Sequence, residues 1–224
     1  MLEEISFIKN FFLLPLLLRA PYLALGYFIL YIIGSIPFAY LLTKFFGFGD
    51  IRNIGSGNIG ATNVLRTGNK FLAFVVLILD VAKGFVPIFF IKYNYLENSD
   101  FEIVSDFAFF NFLGLLIILG HIFPIWLKFK GGKGVATYIG VLFAVDLTIG
   151  FYFIIFWLII AFIFRYSSLS SILSCLLIPV LYFYISGEDL LNTQIIFLMS
   201  LIIILKHYSN ILRLLNKSEN KIKF

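Results

Sequence analysis

Seven apolar runs, near residues 22–45, 70–92, 104–122, 135–146, 148–165, 169–186 and 190–206, take up most of this 224-residue chain. A run of roughly 20 apolar residues matches the hydrocarbon thickness of a bilayer. In lipid each backbone amide must find its partner inside the segment, so such runs fold as helices. The expected fold is therefore all-α: a polytopic membrane bundle of about seven transmembrane helices. The composition agrees, with 61% hydrophobic and 13% charged residues, where a soluble domain carries about a quarter charged. An ordinary soluble protein is excluded. The fourth run is too short to span a typical core unaided, and it meets the fifth at Asp146, which predicts a tight helical hairpin there.

Charge sets the expected orientation. Alternate loops hold Lys44, Arg52, Arg66, Lys70, then Lys128, Lys130, Lys133, then Arg165, then Lys206, Arg213, Lys217, Lys221 and Lys223, which is 13 of the 17 basic residues. The intervening loops hold Glu97, Asp100, Glu102, Asp106, Asp146, Glu188 and Asp189, with Lys92 the one base beyond the N-terminal segment. The positive-inside rule puts the basic loops in the cytoplasm. Seven spans then leave the N-terminus outside and the C-terminus in the cytoplasm. Residues 1–21 start with Glu3 and Glu4 and are broken by Pro15. They read as an interfacial amphipathic extension rather than a signal peptide, ahead of a membrane-embedded domain over 22–224. Cys175, the single cysteine, lies in an apolar run and reads as a core residue rather than a nucleophile.

The polar motifs crowd onto the basic side. "DIRNIGSGNIGATNVLR" (50–66) combines Gly55, Gly57 and Gly60 with Ser56 and Asn58 between Arg52 and Arg66. Glycines let backbone approach a ligand, and guanidinium groups grip phosphate. The other reading is a glycine-rich turn anchored to lipid headgroups. "GHIFPIWLKFKGGKGVAT" (120–137) sets Lys128, Lys130 and Lys133 among Gly131, Gly132 and Gly134. It is either an anion-binding concavity or a plain basic loop. "RYSSLSS" (165–171) offers serines for an anion or for capping the sixth helix. "KHYSNILRLLNKSENK" (206–221) puts His207 and Asn210 on one helix face, in a tail that otherwise reads as a lipid-binding basic end. Asp80 and Lys83 sit within the second run at a spacing that permits an ion pair. Four such loops on one side point jointly to a phosphate-binding site at the bilayer boundary.

In this order, "GSIPFAYLL", "DIRNIGSGNIGATNVLR", "DVAKG", "GHIFPIWLKFKGGKGVAT", "RYSSLSS" and "HYSNILRLL" resemble the bacterial acyl-phosphate:glycerol-3-phosphate acyltransferases, the PlsY family, over about residues 22–221. The resemblance implies a seven-helix bundle in the bacterial inner membrane with its active site toward the cytoplasm. It implies transfer of a fatty acyl group from acyl phosphate to the sn-1 hydroxyl of glycerol 3-phosphate, giving lysophosphatidic acid and phosphate. No metal or cofactor is implied, and no nucleic-acid partner; the surrounding partner is membrane lipid. Catalytic roles carry over to Ser56, Asn58, Lys130 and His207, and substrate binding to Arg52, Gly55, Gly57, Gly131, Gly132, Lys133, Gly134, Ser168 and Asn210. His121 with Pro124 is expected to fix loop geometry. A substrate phosphate or His207 would take the hydroxyl proton. Two positions depart from the family pattern: Ser167, where an apolar residue is usual, and Lys217, where glycine is usual. Two competing classes remain. A transporter for phosphorylated metabolites predicts polar residues along a path through the spans and inverted repeats. A lipid-binding scaffold needs the basic residues but not the glycine loops.

Overall fold

The computed structural model describes residues 14–98, 106–186 and 189–222. Residues 1–13 of the N-terminal extension, Asp100, Glu102, Glu188 and Lys223 lie outside them. The described residues form α-helices and short 3-10 turns. The main helices are α1 (Leu14–Gly34), α2 (Phe38–Phe45), α3 (Ala61–Val64), α4 (Lys70–Asn98), α5 (Asp106–Ile122), α6 (Val135–Val145), α7 (Leu147–Phe164), α8 (Ser167–Ile185), α9 (Leu190–Lys206) and α10 (Tyr208–Leu215).

Every predicted apolar run is helical, but two are not simple rods. The first breaks at Pro37, with α1 and α2 bent by 44°, and α9 bends by 59° into α10. Among the described residues, four helices are long and apolar enough to cross a membrane alone, and up to six spans result if each bent pair counts as one. The fourth run, α6, has 11 residues and is too short to cross. Helix α1 begins at Leu14, so it runs through the boundary expected at residue 21.

Close packing of α6 explains how a short helix holds its place. Cβ atoms at Gly84 and Gly140 would strike the Thr137 and Val81 carbonyls, so the two glycines let α4 and α6 pack backbone to backbone. At the far end, Lys92 of α4 donates to the Val145 carbonyl at 2.6 Å, satisfying an acceptor at the C-terminal end of α6. Asp146 closes α6 and opens α7, accepting from the Thr148 amide at 2.8 Å. The predicted hairpin is therefore made by one residue.

Helix α5 is the bundle's centre: 67% of its apolar window is buried, against 28% for α4 and for α7. It packs on α1, α6 and α9. Buried Phe110, Ile117, Ile118, Tyr138, Val141, Ile178, Met199 and Ile203 form the core, with Cys175 fully enclosed among them. Exposed Phe74, Phe90, Phe162, Tyr184 and Phe197 cover the outside, as a lipid-facing surface requires.

Candidate active site

The glycine loop is held by a residue with no assigned role at the level of sequence. Asn63, 2% exposed, fills all four hydrogen-bonding positions of its amide. Its oxygen accepts from the Ser56 amide at 2.9 Å and the Ser56 hydroxyl at 3.2 Å. Its nitrogen donates to the Ile51 carbonyl at 3.1 Å and the Ile54 carbonyl at 2.9 Å. Gly55 and Gly57 sit at φ +55° and +71°, the left-handed region, and so shape this loop from within. The Ser56 proton goes to an amide oxygen rather than to a base, so the hydroxyl is a hydrogen-bonding group and not an activated nucleophile. Asn63→Leu removes these four hydrogen bonds and leaves the buried Ile51 carbonyl without a mate, an effect of about 1–3 kcal/mol by the cost of an unpaired buried polar group. Thermal inactivation in detergent should shift down by several degrees for Asn63→Leu and hardly at all for Ser56→Ala.

The second loop folds back on the end of α5. The Gly131 amide donates to the Ile122 carbonyl and the Gly132 amide to the His121 carbonyl, each at 3.1 Å. Their amides are thus spent within the fold and do not form a free anion nest. His121, 6% exposed, meets Thr137 Oγ1 through Nδ1 at 3.2 Å and lies 3.6 Å from Asp80. Asp80 pairs with Lys83 at 2.7 Å, and Lys83 also donates to the Ile36 carbonyl at 2.9 Å. This buried network joins α4, α5, α6 and the Pro37 break.

The third cluster comes from the C-terminal end. His207 caps the junction of α9 and α10, its Nδ1 donating to the Ile203 carbonyl at 2.8 Å. That leaves Nε2 as the other ring nitrogen of a side chain that lines the cavity described next. Glu219 accepts from Ser168 at 2.8 Å, Asn210 at 2.7 Å and Arg213 at 2.6 Å. Burial pushes its pKa up, but these three donors outweigh that and hold it below the usual carboxylate range. Lys133 donates to the Asn210 oxygen, linking the second loop to this cluster. Burial is the main cause that lowers Lys133 to about 8, with Arg213 and Arg66 adding to it and Glu219 opposing. Serine capping of α8 is not what the structure shows. No side chain caps the helix, and Ser170 and Ser171 bond back to the carbonyls of Tyr166 and Ser167.

The three clusters enclose a cavity of about 640 Å³. Of the site residues carried over from the resemblance, Ser56, Asn58, Lys133, Gly134, Ser168, His207 and Asn210 line it. Arg52 does not; it lines a second depression with Trp126 and Lys128. Lys130 is exposed and, with Gly55, Gly57, Gly131 and Gly132, borders neither space. Asn63, Arg66, Asp80, His121, Arg213 and Glu219 join the lining, and below them Leu77, Ile139, Ile154, Trp157 and Leu158 give an apolar wall. Asp80 is paired with Lys83 and Glu219 with Arg213. Among the described residues, Arg66 and Lys133 have no carboxylate at ion-pair distance, and no three His, Cys, Asp or Glu cluster as metal ligands.

A family model described as glycerol-3-phosphate acyltransferase matches residues 24–217. The chain belongs to the glycerol-3-phosphate acyltransferase family. It is 46% identical over 193 residues to the glycerol-3-phosphate acyltransferase of Pelagibacter ubique (strain HTCC1062), covering 86% of this chain and 94% of that one. It is 50% identical over 194 residues to that of Ehrlichia canis (strain Jake), with the same coverage. Among solved structures, the crystal structure of PlsY, an integral membrane glycerol 3-phosphate acyltransferase, in its glycerol 3-phosphate form superimposes with a TM-score of 0.79 at 35% identity. That match covers 89% of this chain and 95% of the other. Its lysophosphatidic acid form gives a TM-score of 0.76 at 34% identity, with the same coverage. The acyltransferase family and the membrane bundle expected from the sequence are therefore both found.

Proposed function

We propose that this acyltransferase moves a fatty acyl group from acyl phosphate to the sn-1 hydroxyl of glycerol 3-phosphate, releasing lysophosphatidic acid and phosphate. The observation that carries it is the cavity's two-part chemistry. Arg66 and Lys133, with no carboxylate at ion-pair distance among the described residues, face a space whose lower wall is Leu77, Ile139, Ile154 and Leu158. Two phosphate-bearing substrates need such cations. One long acyl chain needs such a wall, and α4 and α7, which carry Leu77 and Leu158, both pack on α6 and offer that chain a lipid-side approach.

In this proposal Ser56, Asn58 and Arg66 hold the acyl phosphate. Lys133, Ser168, His207 and Asn210 hold glycerol 3-phosphate. The hydroxyl oxygen attacks the acyl carbonyl carbon, the carbon–phosphate oxygen bond breaks, and the hydroxyl proton passes to a phosphate oxygen. Phosphate is already a good leaving group, so positioning and charge stabilisation supply most of the acceleration. His207, tethered through Nδ1, then orients the acceptor. His207→Asn should raise KM for glycerol 3-phosphate more than it lowers kcat, and a collapse of kcat alone would make His207 the base. The positively charged loops favour a cytoplasmic cavity in a bacterial inner membrane. The assay is stoichiometric release of phosphate and lysophosphatidic acid by purified protein given palmitoyl phosphate, with palmitoyl-CoA in parallel. Turnover of the thioester and not of the acyl phosphate would overturn the assigned donor.

A further inference from the structure

We propose that the second depression is a binding site for the headgroup of an anionic membrane phospholipid, separate from the reaction cavity. It has a volume of about 610 Å³ and is lined by Ile36, Pro37, Tyr40, Leu41, Arg52, Trp126, Leu127 and Lys128. Arg52 is built into it rather than left on a mobile arm. Asp50 takes its Nε and Nη2 at 3.0 and 2.6 Å, and its guanidinium stacks 5.2 Å from the Tyr40 ring centroid. Two nitrogens are thereby fixed, while Nη1 makes no hydrogen bond among the described residues and keeps its two N–H groups for a ligand. Lys128 also lines the depression and has no ion pair among the described residues. Lys44 lies over the same ring, 5.8 Å from its centroid. Arg52 and Lys44 thus share one aromatic ring and one carboxylate, Asp50, and Lys128 adds a further positive charge to the depression.

The setting selects a lipid over a soluble anion. The walls at Ile36, Pro37, Leu41 and Leu127 are apolar. Trp126, 59% exposed, and exposed Phe45, Phe46 and Phe129 stand beside the cations. Aromatic side chains next to lysine and arginine at a bundle's end are how a protein meets the headgroup layer, where each basic residue adds attraction for anionic lipid. The depression lies at the same end of the bundle as the reaction cavity, because residues 50–66 and 123–134 contribute to both. Arg52 therefore serves membrane seating and not the reacting phosphates.

Native mass spectrometry of the purified full chain tests this, with phosphatidylglycerol and phosphatidylcholine of identical acyl chains. Wild type should retain phosphatidylglycerol about tenfold better, the scale of attraction that one or two basic side chains supply. Lys128→Gln, an exposed change, should bring that preference near parity, and Arg52→Gln with Lys128→Gln should abolish it. In a Trp157→Phe background, brominated phosphatidylglycerol should quench Trp126 in the parent and not in Lys128→Gln. Equal retention by parent and Lys128→Gln would overturn the site. Displacement of the lipid by millimolar inorganic phosphate would overturn its assignment to a membrane lipid and make it a soluble-anion site.

Discussion

Gly131→Ala is expected to lower turnover by about a hundredfold or more, whereas Gly26→Ala in α1 leaves it unchanged. A Cβ at Gly131 would be driven onto the His121 and Ile122 carbonyls and the Pro124 ring. A Cβ at Gly26 meets nothing within 4 Å. Neither backbone nor proline can swing aside as a flexible side chain would, so the loop itself must move. Overpacking a well-fitted site costs about 1–3 kcal/mol, and a shift of about 1 Å at a positioned group costs about a hundredfold in rate. The displaced residue that matters is Lys133, two positions on. Phosphate release per folded molecule, with thermal inactivation alongside, checks this. Gly132→Ala should behave similarly, since its Cβ would meet the His121 imidazole.

Lys133→Met should cost about a hundred- to a thousandfold in kcat/KM, the usual effect of removing one preorganised charge from a reaction centre. Its pH signature sets it apart from a folding defect. With Lys133 at about 8 in the empty site, kcat/KM should fall about tenfold per unit above that pH as the ammonium is lost. A bound phosphate favours the cation, so the fall in kcat should begin at higher pH. Lys133→Arg, which stays charged, should remove the alkaline fall even where its rate is low. The linkage runs the other way for stability. A lysine whose pKa is lower folded than unfolded binds its proton less well in the folded state, so it destabilises the empty protein below pH 8 and is relieved as pH rises toward 10.5. Lys133→Met should therefore be no less heat-resistant than the parent at pH 7 while being nearly inactive. A loss of heat resistance in step with activity would show that Lys133 acts through the fold.

The hairpin at Asp146 and the short α6 were readable in the sequence because both depend on local signals, a carboxylate between two apolar runs and the length of one of them. The clustering of polar motifs at one end was equally readable. Asn63 was not: its type is ordinary in a glycine loop, and its four hydrogen bonds reach carbonyls and a serine 7 to 12 residues away. Nor was the setting of Glu219, whose partners Ser168 and Asn210 lie 51 and 9 positions away. The turn after α10, where Lys217 takes φ +54° in the place where the family resemblance has glycine, carries the chain back so that Ile222 bonds Arg165. That return is what brings Glu219 to Ser168.

What the sequence alone determined is the class of molecule: apolar run length and charge asymmetry specify helices, their approximate number and the end at which the polar motifs gather, since each is a property of adjacent residues. What only the tertiary structure decided is which polar groups share a space. The bend at Pro37 and the loop around Asn63 send Arg52 to one depression and Ser56 to another. The close approach of Gly131 and Gly132 to the end of α5 spends their amides and leaves Lys133 at the cavity. Those outcomes depend on contacts between segments dozens of residues apart, which no local pattern encodes.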